Sequence, residues 1–320
     1  MNLFPRVDSP PHDARRPRHP RCAATLTPPP MPTFFRAVRV LDAQVDLRWE
    51  DGVVDLGPAG SLRPALGDVV VNGGLVTPPF AEPHVHLDAA LLGARAPNVS
   101  GTLREGIANW ARLRADLTHD DVTTRARDTI EMYRSWGVLR WRTHVDTGSA
   151  VAVRALLELR DKTPGLQVVA FPQEGILRAP GRREAWEAAV RAGCDAVGAI
   201  PHFERTTEEG WASVRLAFAL ARELDRRVDL HCDETDDPGS RNLEVVCAEA
   251  THGDVSHVLA GHCTAMHSYP DPYAAKVCEL VATSGVQVVA NPLDNVVLQG
   301  RYDGYPKRRG ITRVDELWAA

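Results

Sequence analysis

What most restricts the folds open to this chain is a repeated unit: a short apolar run, a chemically capable polar residue, then a helix-like stretch. Strand-like runs are predicted at 139–145, 166–171, 196–200, 228–230, 258–260 and 286–290, after a first one that leads into Glu82-Pro83-His84-Val85-His86. Helix-like segments fall at 103–117, 120–136, 151–162, 182–192, 208–224, 242–250 and 272–283. In 208–224, Trp211, Val214, Phe218 and Ala221 share one face at helical spacing, as in a helix laid on a core. Thr118 and Asp121 make a capping-box-like start for the segment at 120. Regular alternation of strands and helices calls for a parallel sheet, because parallel strands need a long crossover between them.

The polar residues narrow the choice. In chain order the strands end at His84 and His86, His144 with Asp146, Gln173, His202, His231 with Glu234, His262, and Asn291. A TIM-like (β/α)8 barrel gathers the carboxyl ends of its strands around one mouth, where its chemistry sits. The expected fold class is therefore α/β, a barrel. Upstream, short alternating runs between residues 34 and 71, separated by Asp51-Gly52 and Pro58-Ala59-Gly60, read as a small β appendage with a hairpin. The expected organisation is a tail at 1–31, the appendage at 32–73 and the barrel at 74–320. The tail, with Arg15-Arg16-Pro17-Arg18 and Pro28-Pro29-Pro30, lacks the apolar surface needed to order itself. It reads as disordered, or as lying ahead of a true start at Met31.

A net charge of −5 argues against a general binder of nucleic acid or anionic membranes and favours a small neutral substrate. Cys22, Cys194, Cys232, Cys247, Cys263 and Cys278 form no Cys-x-x-Cys pair and read as reduced thiols of a cytoplasmic protein. No apolar run approaches the roughly 18 residues of a membrane span.

His84 and His86 are two apart on a strand, so they face the same side. Such a pair can grip a divalent ion or simply hydrogen-bond near a loop, and spacing alone leaves both open. A third imidazole, His231, would complete a three-nitrogen face with positions left for water and substrate. Glu234 lies just beyond, suited to carry protons, and His262 could hydrogen-bond an attacking water. Taken singly, Glu234 reads equally as a solvated loop acid and His262 as a structural histidine.

The run Leu75-Val76-Thr77-Pro78-Pro79-Phe80-Ala81-Glu82-Pro83-His84-Val85-His86-Leu87-Asp88 resembles the signature of the amidohydrolase superfamily, in its bacterial cytosine deaminase branch. Arg142-Thr143-His144-Val145-Asp146, Phe171-Pro172-Gln173-Glu174-Gly175, His231-Cys232-Asp233-Glu234 and Asn291-Pro292-Leu293 continue the likeness in order. The resemblance implies that His84, His86 and His231 hold one divalent metal, Fe2+ or Zn2+. It implies Glu234 as the proton shuttle, His262 as partner of the hydrolytic water, and Gln173 as reader of the amide edge of the pyrimidine, with Phe171 in the pocket wall. The implied reaction converts cytosine to uracil and ammonia, in a homo-oligomer. A related ring, such as isoguanine or an N-alkyl triazine, is the alternative substrate.

The family pattern also implies an eighth strand ending in an Asp that binds the metal and takes the proton from its water. Here a long loop is expected from Asn291 to Gly310, then a helix near Thr312, with Ala320 the last residue. Asp294, Asp303 and Asp315 match other positions of the pattern. The expectation is a barrel one strand short and inactive or weakly active, at the extreme a non-catalytic fragment.

Overall fold

A computed structural model describes residues 33–50 and 53–320, so the expected tail and the Asp51-Gly52 turn lie outside the described residues. The chain divides into two compact units, Met1–Pro78 and Pro79–Ala320.

In the first unit, β1 (Thr33–Val40), β2 (Ala43–Glu50), β3 (Val53–Pro58), β4 (Val69–Asn72) and β5 (Leu75–Val76) form one sheet. Its order is β3-β2-β1-β4, with β5 also pairing β1. The β2–β3 register sets Glu50 opposite Val53, the spacing of a two-residue hairpin. Buried Asp46 ties the sheet to its loop by accepting from the amides of Ala37 (2.9 Å), Gly60 (2.7 Å) and Leu62 (3.3 Å). The expected start of the barrel at residue 74 is corrected, because Leu75 and Val76 pair with Arg39 and Val40 of β1. The change of unit falls at Pro78-Pro79 instead, two residues with no amide hydrogen to extend a ladder.

The second unit runs β6 (Phe80–Val85), α1 (Leu103–Leu113), α2 (His119–Ser135), β7 (Val138–Asp146), α3 (Ala150–Arg160), β8 (Leu166–Phe171), α4 (Arg182–Arg191) and β9 (Ala196–Val197). It continues α5 (Thr207–Leu224), β10 (Arg227–Cys232), α6 (Asn242–Ala250), β11 (Val258–His262), α7 (Asp271–Ser284), β12 (Gln287–Val289), α8 (Pro292–Leu298) and α9 (Val314–Ala319). Strands β6 to β12 pair in sequence order, every pair parallel. The sheet curls back on itself, because the His84 side chain on the first of these strands lies 3.2 Å from that of His262 on the sixth. This is a TIM-like barrel of seven strands among the described residues.

Helices α1, α2, α3 and α5 begin at Thr102, Thr118, Ser149 and Thr206, whose hydroxyls accept from the amide three residues on. Val214, Phe218 and Ala221 of α5 are buried, as the periodicity predicts, while Trp211 of the same face is half-buried. Two expectations change. The strand at 196–200 pairs only through Val197, since Pro201 opens a 3-10 turn. The loop expected after Asn291 contains α8, with Pro292 at its first turn, where a missing amide hydrogen costs nothing.

Gly165 leads into β8 with φ +88°, and a Cβ there would meet the Leu139 carbonyl oxygen at 2.6 Å. Gly165→Ala is expected to lower unfolding free energy by more than about 1 kcal/mol in urea titration. An unchanged midpoint would show that the β7–β8 contact yields freely.

Candidate active site

Five imidazoles crowd the carboxyl-terminal mouth of the barrel. His86 Nε2 lies 3.0 Å from His231 Nε2, and His84 Nε2 lies 3.2 Å from His262 Nε2. The His144 ring centroid is 4.3 Å from that of His84. Gly261 gives His84 its space, since a Cβ there would stand 3.2 Å from His84 Nδ1. His262 is aimed inward by a left-handed backbone, φ +67°, followed by Cys263 at φ +52°. Such strain persists only where neighbours over-determine it; here the Cys263 amide donates to Cys232 O at 2.9 Å and the Thr312 hydroxyl to His262 O.

Burial and mutual repulsion favour the neutral form of His84, His86, His231 and His262. His86 is pulled down to about 3, and burial first, then the neighbouring imidazoles, hold His84 and His231 well below the usual histidine range. Neutral rings have lone pairs to offer a cation. His84 Nδ1 and His231 Nδ1 are buried with no hydrogen-bond partner among the described residues. Nitrogens of His84, His86 and His144, and of His84, His231 and His262, lie within 4.8 Å of one another. Imidazole nitrogens at that spacing fit a divalent metal of the imidazole-binding kind.

Outside this ring of histidines, carboxylates set orientation. His144 Nε2 lies 2.9 Å from Asp229 Oδ1, and Asp229 Oδ2 accepts from Arg142 Nη1 at 2.9 Å. Asp146 accepts from Trp110 Nε1 and Arg114 Nη1, both at 2.7 Å, while its own amide donates to Asp88 Oδ2 at 2.9 Å. Burial, reinforced by the charge of Asp146, pushes Asp88 up to about 7. Asp233 accepts from Ser240 Oγ (2.6 Å), Asn242 Nδ2 (2.8 Å) and the Leu243 amide (2.9 Å), pinning the loop beyond β10 that carries Glu234.

A cavity of about 250 Å³ is lined by His86, His231, Glu234, His262, Gln173 and Asp294, with Asp88, Trp110 and Leu298 nearby. Burial, then the charge of Asp294, holds Glu234 well above the ordinary carboxylate range. The Glu234 amide lies 3.4 Å from His202 Nδ1. Asn295 of α8, also buried, reaches both Glu234 Oε1 (3.1 Å) and His262 Nδ1 (3.2 Å).

The family model described as "Amidohydrolase family" matches residues 126–320. The chain belongs to the amidohydrolase family. Among solved amidohydrolase structures it is similar to 5-methylcytosine deaminase from Klebsiella pneumoniae liganded with 5-fluorocytosine, at 42% identity and a TM-score of 0.85, covering 90% of this chain and 72% of that one. This likeness puts it in the cytosine-deaminase-like branch. Among curated relatives, "Pterin deaminase" from Rhizobium rhizogenes (strain K84 / ATCC BAA-868) is 28% identical over 295 residues, 87% of this chain and 65% of the relative. "N-isopropylammelide isopropyl amidohydrolase" from Pseudomonas sp. (strain ADP) is 26% identical over 262 residues, 75% of this chain and 64% of the relative. The chain thus spans just under two thirds of the length of these two relatives.

Of the residues singled out in the sequence, the amidohydrolase barrel brings His84, His86, His231, Glu234, His262 and Gln173 to one mouth. Phe171 is the correction. It is fully buried and stacked on His231, ring centroids 3.9 Å apart and 19° between planes, and is not among the residues that line the cavity. Asp294, set aside as a loop acid, has a carboxylate oxygen within 4.8 Å of ligating atoms of Glu234 and His262, and burial pushes it up to about 6. Asn295 was missed. Asn291-Pro292, a helix start with Pro at the first position, was the signal for α8 and for a side chain turned inward one turn later.

Asp229→Asn would leave Arg142 without its carboxylate and His144 without a charged acceptor. We expect a loss on the order of 3 kcal/mol in denaturant unfolding. A loss below about 0.5 kcal/mol would show that the pair contributes nothing to the fold.

Proposed function

We propose that this chain carries the catalytic face of a metal-dependent deaminase for a free aminopyrimidine, cytosine first, yielding uracil and ammonia. The observation that carries the proposal is the meeting of Gln173, Glu234 and His262 with two neutral imidazoles around one cavity of about 250 Å³. That space suits a single small ring, since pockets for larger ligands run to roughly 300–1,000 Å³. Similarity to a 5-methylcytosine deaminase and to a pterin deaminase supports an aminated ring as substrate.

His84, His86 and His231 would hold the metal, iron(II) or zinc. A divalent ion in such a site supplies water that is acidified towards a pKa of about 7. The chain's own residues do the rest. Gln173 pairs with the amide edge of the ring and fixes the angle of attack at C4. His262 takes the hydrogen bond of the attacking water. Glu234, whose hold on a proton is strengthened by burial, takes the proton of the attacking water and gives it to ring N3, then takes the proton of the new hydroxyl and passes it to the departing amine. The five free cysteines among the described residues, all buried, support a cytoplasmic location, and a homo-oligomer is proposed on the same family reading.

Zinc titration of the full chain is expected to give one site, weakened at least tenfold in His231→Gln. Binding left untouched by His84→Gln, His86→Gln and His231→Gln together would sink the ligand assignment. With metal present, cytosine should bind in calorimetry, and Gln173→Leu should weaken it about tenfold, the loss of one or two hydrogen bonds. The 26% similarity to the N-isopropylammelide enzyme favours a triazine as second reading. A panel of cytosine, 5-methylcytosine, isoguanine, pterin and N-isopropylammelide, scored by calorimetry and by ammonia against alkylamine release, separates the two. Tighter binding of N-isopropylammelide with alkylamine release would replace the cytosine reading, and no binding of any ring would leave a non-catalytic fragment.

A further inference from the structure

We infer that Asn295 is a positioning residue that holds His262 in the Nδ1–H tautomer and so turns the bare Nε2 lone pair into the catalytic mouth. The inference rests on the deaminase reading above for its meaning, but its geometry stands apart from any substrate. His262 is 2% exposed and its Nδ1 has three polar neighbours: Asn295 Oδ1 at 3.2 Å, Asn295 Nδ2 at 3.2 Å and Glu234 Oε1 at 3.3 Å. The donor among them, Asn295 Nδ2, lies closer to Glu234 Oε1, at 3.1 Å, and a carboxylate oxygen draws its hydrogen more strongly than a ring nitrogen does. The other two are oxygens that accept. A nitrogen facing acceptors carries the hydrogen, and in a neutral imidazole the opposite nitrogen is then bare.

That opposite nitrogen, Nε2, lies 3.2 Å from His84 Nε2, among the rings that would hold the metal. A bare Nε2 accepts a hydrogen bond from water; an Nε2–H would donate one and repel a cation. Asn is suited to the post because one planar amide offers an acceptor and a donor side by side, joining His262 to Glu234. Its backbone comes from α8, whose one fully buried residue is Asn295. The two residues that handle protons in the proposed reaction, on β10's following loop and on β11, are thereby fixed by a single side chain from a third element.

The test is nitrogen-15 NMR of the zinc-loaded full chain labelled at histidine, with long-range proton–nitrogen correlations and His262 assigned by its loss in His262→Gln. The expected signature is a protonated Nδ1 and an unprotonated Nε2. Asn295→Asp keeps an acceptor beside Nδ1 and should keep this pattern. Asn295→Leu removes the amide oxygen and leaves Glu234 Oε1, the remaining acceptor at 3.3 Å, without the amide that holds it, and should raise the Nε2–H form at least tenfold. A wild-type ring protonated on Nε2, an Asn295→Leu spectrum identical to wild type, or a switch in Asn295→Asp would each overturn the inference. Should Asn295→Leu fail to fold by circular dichroism, the wild-type and Asn295→Asp spectra still decide. Failure to bind cytosine with the expected tautomer intact would count against the deaminase reading alone.

Discussion

Neutral imidazoles pressed together in a dry barrel mouth are the constraint on which everything else turns. Each of His84, His86 and His231 sits where a proton would be repelled by its neighbours and starved of water, so the rings remain uncharged. This arrangement requires β6 to meet β10 and β11 across the barrel, four and five strands along the sheet. Because strand side chains alternate, a slip of one residue in β6 would turn both histidines to the helix side and leave nothing at the mouth. Register and chemistry are thus one requirement.

Around that centre the carboxylates divide by what feeds them. Asp229 and Asp146 each face an arginine, so their charge is matched close at hand. Glu234 and Asp88 have no such partner and are pushed towards the protonated form. A site that must both orient and transfer protons needs the two kinds, and here they are sorted by the presence of Arg142 and Arg114. The amidohydrolase relatives are named for different rings, and under the proposed reaction the differences among such rings would fall to cavity residues such as Gln173.

How far the sequence alone foretold this depended on whether a residue's partner was local. The strand-helix order and the same-facing pair His84 and His86 follow from periods of 3.6 and two, which depend on neighbours in the chain. The barrel mouth followed because polar residues sat at strand ends. The stacking partner of Phe171, His231, is sixty residues away, so only packing shows that the ring lies against that imidazole. Asp229 looked like one more polar residue inside an apolar strand, with no local sign of Arg142 and His144 on β7. Asn295 was hidden by a helix of seven residues, too short for periodicity to announce.

The margins of the barrel sheet carry a consequence of their own. Among the described residues β6 and β12 are the outermost strands, each paired on one side. Yet β6 contains Pro83, which has no amide hydrogen, and its register with β7 shifts between Glu82 and Val85. Strand β12 is only three residues long. A foreign strand seeking to extend this sheet would find an interrupted row of donors on one side and barely one turn of the pleat on the other, so neither margin is a good template for fibre growth.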